Sequence, residues 1–227
     1  MKLELFDAYH VRARLSASII LLAPIALTIF LCFQEIHNFA SSSVLIFFLL
    51  AFTNYVPILQ RSLACKKNIN VECAAQLLSV DDTTFDSVSK SRYYSKLAKL
   101  DDSFKAFEHP DNSEDFKKCC KSAVIYLRNQ TRGNRLVLEE NINYGFCKNL
   151  KANKVMGIIM CLLSFGMIAL ISLPGCSSVS DIPAQNLLAF TLNAVILLFW
   201  IFWVTDKALD STARYYGKAL IMAIDAL

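Results

Sequence analysis

Residues 134–173 read NRLVLEENINYGFCKNLKANKVMGIIMCLLSFGMIALISL. The stretch begins as a charged, amphipathic run and passes, without a proline, into an apolar run long enough to cross a bilayer. After Leu136, the residues Leu138, Ile142, Phe146 and Leu150 recur at four-residue steps, so one helix face is expected to be apolar. Arg135, Glu139, Glu140, Lys148 and Lys151 fall on the other face. A helix continuing through Gly157 would join a soluble body to a membrane span. The expectation is a small helical membrane protein whose soluble and membrane parts control one another.

Composition supports that reading. Of the 227 residues 55% are hydrophobic and only 19% charged, which is too apolar for a soluble surface. Four apolar segments carry the excess, at 15–33, 44–59, 155–173 and 187–204, each near the ~20 residues that a spanning helix needs. The second is shortest and contains Asn54 and Pro57. No small-residue cleavage site follows the first before the next apolar run, which argues against a signal peptide. The expected fold class is therefore an all-α integral membrane protein. It has four transmembrane helices, with a helical cytoplasmic domain inserted between the second and third spans. The division is 1–59 for the N-terminal segment and first helix pair, 60–154 for the cytoplasmic domain, 155–204 for the second pair and 205–227 for a C-terminal cytoplasmic helix.

The cations set an orientation. Loops 34–43 and 174–186 hold no Lys or Arg, whereas 17 of the 23 basic residues fall in 60–154. Lys2, Arg12 and Arg14 precede the first span, and Lys207, Arg214 and Lys218 follow the fourth. Positive segments stay inside, so both termini and the middle domain are expected in the cytoplasm. Trp200 and Trp203 would close the fourth span as interfacial aromatics. Cys65, Cys73, Cys119, Cys120 and Cys147 would then be thiols. Cys32 and Cys176 would lie near the outer face, either paired or as two small apolar residues. Pro24 should kink the first span.

Residues 1–14 form either a surface amphipathic helix or a frayed start to the first span. The middle region reads as a set of helices. After a helical extension over 60–78, Asp81-Asp82-Thr83 signals a helix start, and a further helix covers about 91–107. His109-Pro110-Asp111-Asn112 breaks it, and Asn112 or Ser113 caps the next helix, which runs to about Asn129 with Phe116, Ala123, Val124 and Leu127 inward. In the last segment Leu209, Ala213, Tyr216, Leu220, Ile224 and Leu227 make a stripe that must pack on something, either the middle domain or another subunit. Arg92-Tyr93-Tyr94-Ser95-Lys96-Leu97 is echoed by Arg214-Tyr215-Tyr216-Gly217-Lys218-Ala219, either through duplication or by chance.

Chemistry is sparse. There is no phosphate-binding glycine loop, no Ser-His-Asp set, no paired histidines and no Cys-x-x-Cys pair. No enzyme, cofactor or metal site is expected. The spans hold no Asp, Glu, Lys, Arg or His, leaving Asn54, Asn193 and Thr191, with Thr53 and Ser164, as polar groups. These either bond between helices or line a pore. Residues 60–154 hold 17 basic against 12 acidic residues. Lys117, Lys118, Lys121, Arg128, Arg132 and Arg135 cluster around one helix hairpin, beside Tyr126. Arg92, Tyr93 and Tyr94, with Lys96 and Lys99, make a second basic-aromatic group. Cations with interleaved rings suit a phosphate-bearing ligand with stacking bases. A solvated face, or attraction to anionic lipid, explains the same residues.

Glu139–Leu150, EENINYGFCKNL, leading into the third span, and the tail Arg214-Tyr215-Tyr216-Gly217-Lys218 resemble small four-span bacterial membrane effectors of anti-phage defence, most of all the membrane effector of Hailong-type systems. The resemblance implies a homo-oligomeric ion channel in the bacterial inner membrane, amid membrane lipids. A nucleotide or short single-stranded oligonucleotide, made by a partner nucleotidyltransferase, would gate it, and the infected cell would be depolarised. The alternative is a non-conducting anchor or scaffold that recruits a cytoplasmic protein. A transporter is disfavoured by the uncharged spans.

Overall fold

The computed structural model describes residues 9–33, 69–172 and 182–227, and no strand occurs among them. Helix α1 is Ser16–Cys32, entered through a π-helical turn, His10–Leu15. Then come α2 (Ile69–Leu77), α3 (Ser87–Leu100), a 3-10 segment (Asp102–Glu108) and α4 (Glu114–Gln130). Helix α5 is Arg135–Ser172, 38 residues without a break. Helix α6 (Ala184–Leu198) ends in a π-helical turn, Phe199–Trp203, and α7 (Asp206–Met222) ends in a 3-10 turn, Ala223–Ala226. Three helices are long and apolar enough to cross a membrane, namely His10–Cys32, Arg135–Ser172 and Ala184–Trp203. They point to a membrane protein. The expected second span, with Asn54 and Pro57, lies outside the described residues, as do residues 1–8, loop 34–43 and Cys176.

The chain divides into two compact units. The first comprises Met1–Ala64 and Gly145–Asp206, the second Cys65–Tyr144 and Lys207–Leu227. Helix α5 supplies residues to both, and the boundary falls at Tyr144–Gly145, ten residues before the apolar run expected from 155.

In the apolar unit, Ala17, Leu21, Leu150, Cys161, Trp200 and Val204 form a buried cluster. Helices α5 and α6 run antiparallel in a fixed register. Asn186 bonds Ser172 at 3.0 Å, the rings of Phe165 and Phe190 lie 4.9 Å apart, and the Trp200 indole lies across Gly157. Trp200 was expected at the membrane interface beside Trp203. It is fully buried instead, because Gly157 leaves room for an indole against the α5 backbone, while Trp203 is exposed. Gly145 lets the Tyr9 ring approach in the same way. Lys154 donates to the carbonyls of Val204 (2.8 Å) and Ile201 (3.0 Å), a cation closing the π-helical turn that follows α6. Lys151 pairs with Asp206 at 2.8 Å.

The second unit is built on aromatic packing. Tyr94, Phe107 and Phe116 form a triangle with centroids 5.3 to 6.0 Å apart. The expected helix over 91–107 is in fact two pieces. Asp101 takes an extended conformation (φ −158°, ψ 139°) and its carboxylate accepts from the Ser103 amide at 2.8 Å, so it ends α3 and starts the 3-10 segment. Asp86, rather than Asp81–Thr83, caps α3, accepting from the Ser89 amide at 2.8 Å. Ser113 caps α4 as expected. The stripe of α7 is buried within this unit at Leu209, Ala213, Tyr216, Leu220 and Ile224, with Tyr216 stacked on Tyr144 at 6.1 Å, whereas Leu227 is exposed. The expected inward face at the start of α5 is displaced. Leu136 and Leu138 are exposed, and Val137, Ile142 and Tyr144 are buried.

Candidate functional site

Two sets of residues were expected to carry function, a basic-aromatic surface and a polar lining within the spans. The structure separates the members of each.

On α4, Lys117, Lys121 and Arg128 stand at i, i+4 and i+11, one face of the helix beside its buried side. Lys117 pairs with Glu114 and Lys118 with Asp115, at 2.8 and 2.9 Å. These hydrogen-bonded pairs raise both lysines above the usual ammonium range, and the Lys117 bond holds the Glu114 carboxyl low. The lysines also line a cleft of about 590 Å³ together with Glu72, Asp81, Asp82, Asp111 and Glu114. Five carboxylates against three ammoniums repel a phosphate, so that cleft is no anion cradle. Lys121 and Arg128 have no ion-pair partner among the described residues. Arg132 donates to Asn129 at 3.3 Å, and Arg135 lies 3.7 Å from Glu139. The cations that remain available therefore follow the outer side of α4 and the 131–135 turn.

The second basic-aromatic group is differently engaged. Tyr93 and Tyr94 are 4% and 8% exposed, so their rings cannot receive a stacked base. The Tyr93 ring meets Phe85 edge-on at 5.5 Å, and the Tyr94 hydroxyl donates to the Leu78 carbonyl at 2.7 Å. Burial pushes the Tyr94 phenol up to about 12. Arg92 lies over the Tyr93 ring at 5.3 Å and pairs with Asp225 at 2.8 Å. Lys96 pairs with the same carboxylate at 3.3 Å and donates to the Asp225 carbonyl at 3.1 Å. These side chains hold the C-terminal turn onto α3. Basic-aromatic spacing alone did not reveal that role, because both rings fall on the helix's inward face.

Sequence reading overlooked a second cleft. Ser87, Ser91, Ser95 and Lys99 recur at four-residue steps along α3 and line about 620 Å³ opposite Phe107, Glu108 and Pro110. The repeat Ser-x3-Ser-x3-Ser-x3-Lys was the available signal. At the floor Lys90 is 8% exposed. Its ammonium donates to the carbonyls of Ser79, Val80 and Asp82, which uses all three of its protons. Desolvation lowers its pKa.

Within the spans, Asn193 is fully buried and donates to Thr28 Oγ1 and to the Ala189 carbonyl, both at 2.9 Å. It bonds between helices. Thr191 is exposed on the outer side of α6, with its hydroxyl donating to the Leu187 carbonyl at 2.9 Å. The two residues thus face different ways, and Asn54 lies outside the described residues. Cys32 is a free thiol. No cluster of three or more metal-ligating side chains occurs among the described residues. No protein-family model, curated protein or solved structure matches the chain.

Proposed function

We propose that the chain is a four-span membrane effector of bacterial anti-phage defence. It sits in the inner membrane with both termini in the cytoplasm and assembles as a homo-oligomeric channel. A nucleotide or short single-stranded oligonucleotide on its basic helical unit gates it, and opening depolarises the cell. The observation that carries the proposal is the unbroken α5, whose first ten residues belong to the helical unit and whose remainder belongs to the apolar one. A helix shared in this way lets binding in one unit bias the other, provided that the ligand prefers one state. A ring of several subunits supplies the pore that one small bundle cannot enclose. Lys121, Arg128, Arg132 and Arg135 are the cations assigned to the ligand. The buried rings of Tyr93 and Tyr94 take no part.

Mass spectrometry of small molecules released from the purified full-length protein, paired with a membrane-potential dye during expression, tests the proposal. A phosphate-bearing nucleotide species and loss of potential support it. An empty protein with full potential, even with the partner nucleotidyltransferase present, overturns it.

A second reading, a non-conducting scaffold, draws on apolar side chains exposed on the helical unit, among them Val88, Ile125 and Leu136. A stoichiometric cytoplasmic protein retained at constant membrane potential would establish it.

A further inference from the structure

The apolar unit has polar atoms in its interior that the described side chains do not satisfy. Among the described residues, Asn153 Nδ2, Ser164 Oγ, Asn186 Oδ1, Asn193 Oδ1 and Trp200 Nε1 are buried without a hydrogen-bond partner. All five residues are 3% exposed or less. The register of α5 against α6 sorts them into three levels. Asn186 lies beside Ser172, its bonding partner. Asn193 falls opposite Ser164, each of them seven residues along its helix from the Trp200–Gly157 contact. Trp200 lies on Gly157, one turn from Asn153. Successive levels on α6 are seven residues apart, roughly 10 Å at the rise of a helix.

In hydrocarbon an unpaired buried amide or hydroxyl costs several kcal/mol. Turning either amide of α6 over does not help, since it exchanges an unpaired oxygen for an unpaired amino group. Lipid offers no donors at this depth. A second subunit cannot reach atoms that expose no surface. The partner must be small enough to lodge inside and able both to donate and to accept, because the lower level offers two donors and the upper two levels offer acceptors. A monovalent cation suits carbonyl and hydroxyl oxygens but is repelled by the Asn153 amino group and the indole N–H. Water, which both donates and accepts, matches the polar atoms at all three levels. We propose that the bundle interior is a hydrated seam with a water-binding site at each of the Asn186, Asn193–Ser164 and Asn153–Trp200 levels. The seam does not depend on whether the chain conducts.

Millisecond X-ray radiolysis in ¹⁸O-water tests this directly, because hydroxyl radicals form at bound water and label the nearest side chains. The full chain in nanodiscs is exposed, with Tyr215 as the solvent-accessible control and Phe190, on the outer side of α6, as the lipid-facing one. The seam predicts ¹⁸O on the fully buried Trp200 and Cys161, and loss of the Trp200 label in Asn153→Leu with Tyr215 unchanged. Trp200 and Cys161 as unlabelled as Phe190 would show a dry interior and overturn the proposal. Undiminished Trp200 labelling in a monodisperse Asn153→Leu protein would remove the lower site.

Discussion

Asn193 Nδ2 donates to Thr28 Oγ1 at 2.9 Å, and the Thr28 hydroxyl donates in turn to the Pro24 carbonyl at 2.9 Å. The relay joins α6 to the turn of α1 that follows its proline. Pro24 has no amide to give the carbonyl one turn back, and neighbouring side chains commonly steady such a site within a bundle. Here Thr28 of the same helix bonds the Pro24 carbonyl, and Asn193 reaches that hydroxyl from α6. Asn193 therefore fixes α1 at its proline, which is a more specific task than lining a pore.

A double-mutant cycle of Thr28→Val and Asn193→Leu measures that bond. Interhelix hydrogen bonds of this kind contribute about 0.6 kcal/mol in membrane bundles. The expected coupling energy, from reversible unfolding in mixed micelles, is of that order. Additive single losses would show that the two side chains do not act together.

Gly157→Leu is expected to unseat the indole of Trp200, because a Cβ at that position already overlaps the ring. Overpacking of a tight core costs about 1–3 kcal/mol. Tryptophan fluorescence should shift as Trp200 leaves its buried site, and Gly157→Leu/Trp200→Ala should recover part of the loss. Gly166→Leu, where nothing lies within 4 Å of the added Cβ, is the neutral control.

Much of the fold was legible in the sequence. Three of the four apolar runs became helices of spanning length, and Ser113 at the start of α4 was recognisable as a cap. The misplaced features share one cause, which is that local pattern does not report tertiary partners. Asp101 looked like one more charge on a long helix, whereas its carboxylate caps Ser103 and ends that helix. Trp200 matched an interfacial aromatic until Gly157, 43 residues earlier, was seen to leave room for its ring. Tyr93 and Tyr94 read as stacking residues because charge and aromatic spacing say nothing about which way a helix is turned. The Lys117 cluster read as a basic surface although Glu114 and Asp115 lie one turn away in the same helix, and Glu72, Asp81 and Asp82 join them from distant positions in the chain.

Acid should loosen the helical unit. Asp86, Asp101 and Asp111 each accept hydrogen bonds from Ser89, Ser103 and Ser113, which hold their carboxyls below the ordinary aspartate value of 3.8. A folded pKa below the unfolded one means that the stability is complete above 3.8 and is lost as pH falls through the lowered values. Circular dichroism thermal scans from pH 6 downward should show Tm falling only near and below that point. In Asp86→Asn/Asp101→Asn/Asp111→Asn the slope should flatten, since asparagine still caps but does not titrate.

Cys120 should be inert. It is 1% exposed, and burial pushes its thiol up to about 12, so almost no thiolate is present at pH 8. Iodoacetamide on the native chain, followed by peptide mass spectrometry, should leave Cys120 unmodified until denaturant is added. Rapid native labelling would mean that the aromatic core opens readily.

Planar-bilayer recording of the purified full-length protein tests the gating claim most directly, with a short single-stranded oligonucleotide added to the side bearing the helical unit. Conductance should change on addition, and the change should weaken as salt rises, because cation–phosphate contacts release counterions. It should be lost in Lys121→Glu/Arg128→Glu, with the basal conductance retained. Conductance indifferent to the oligonucleotide, or an unaltered response in the charge-reversed protein, would contradict the account.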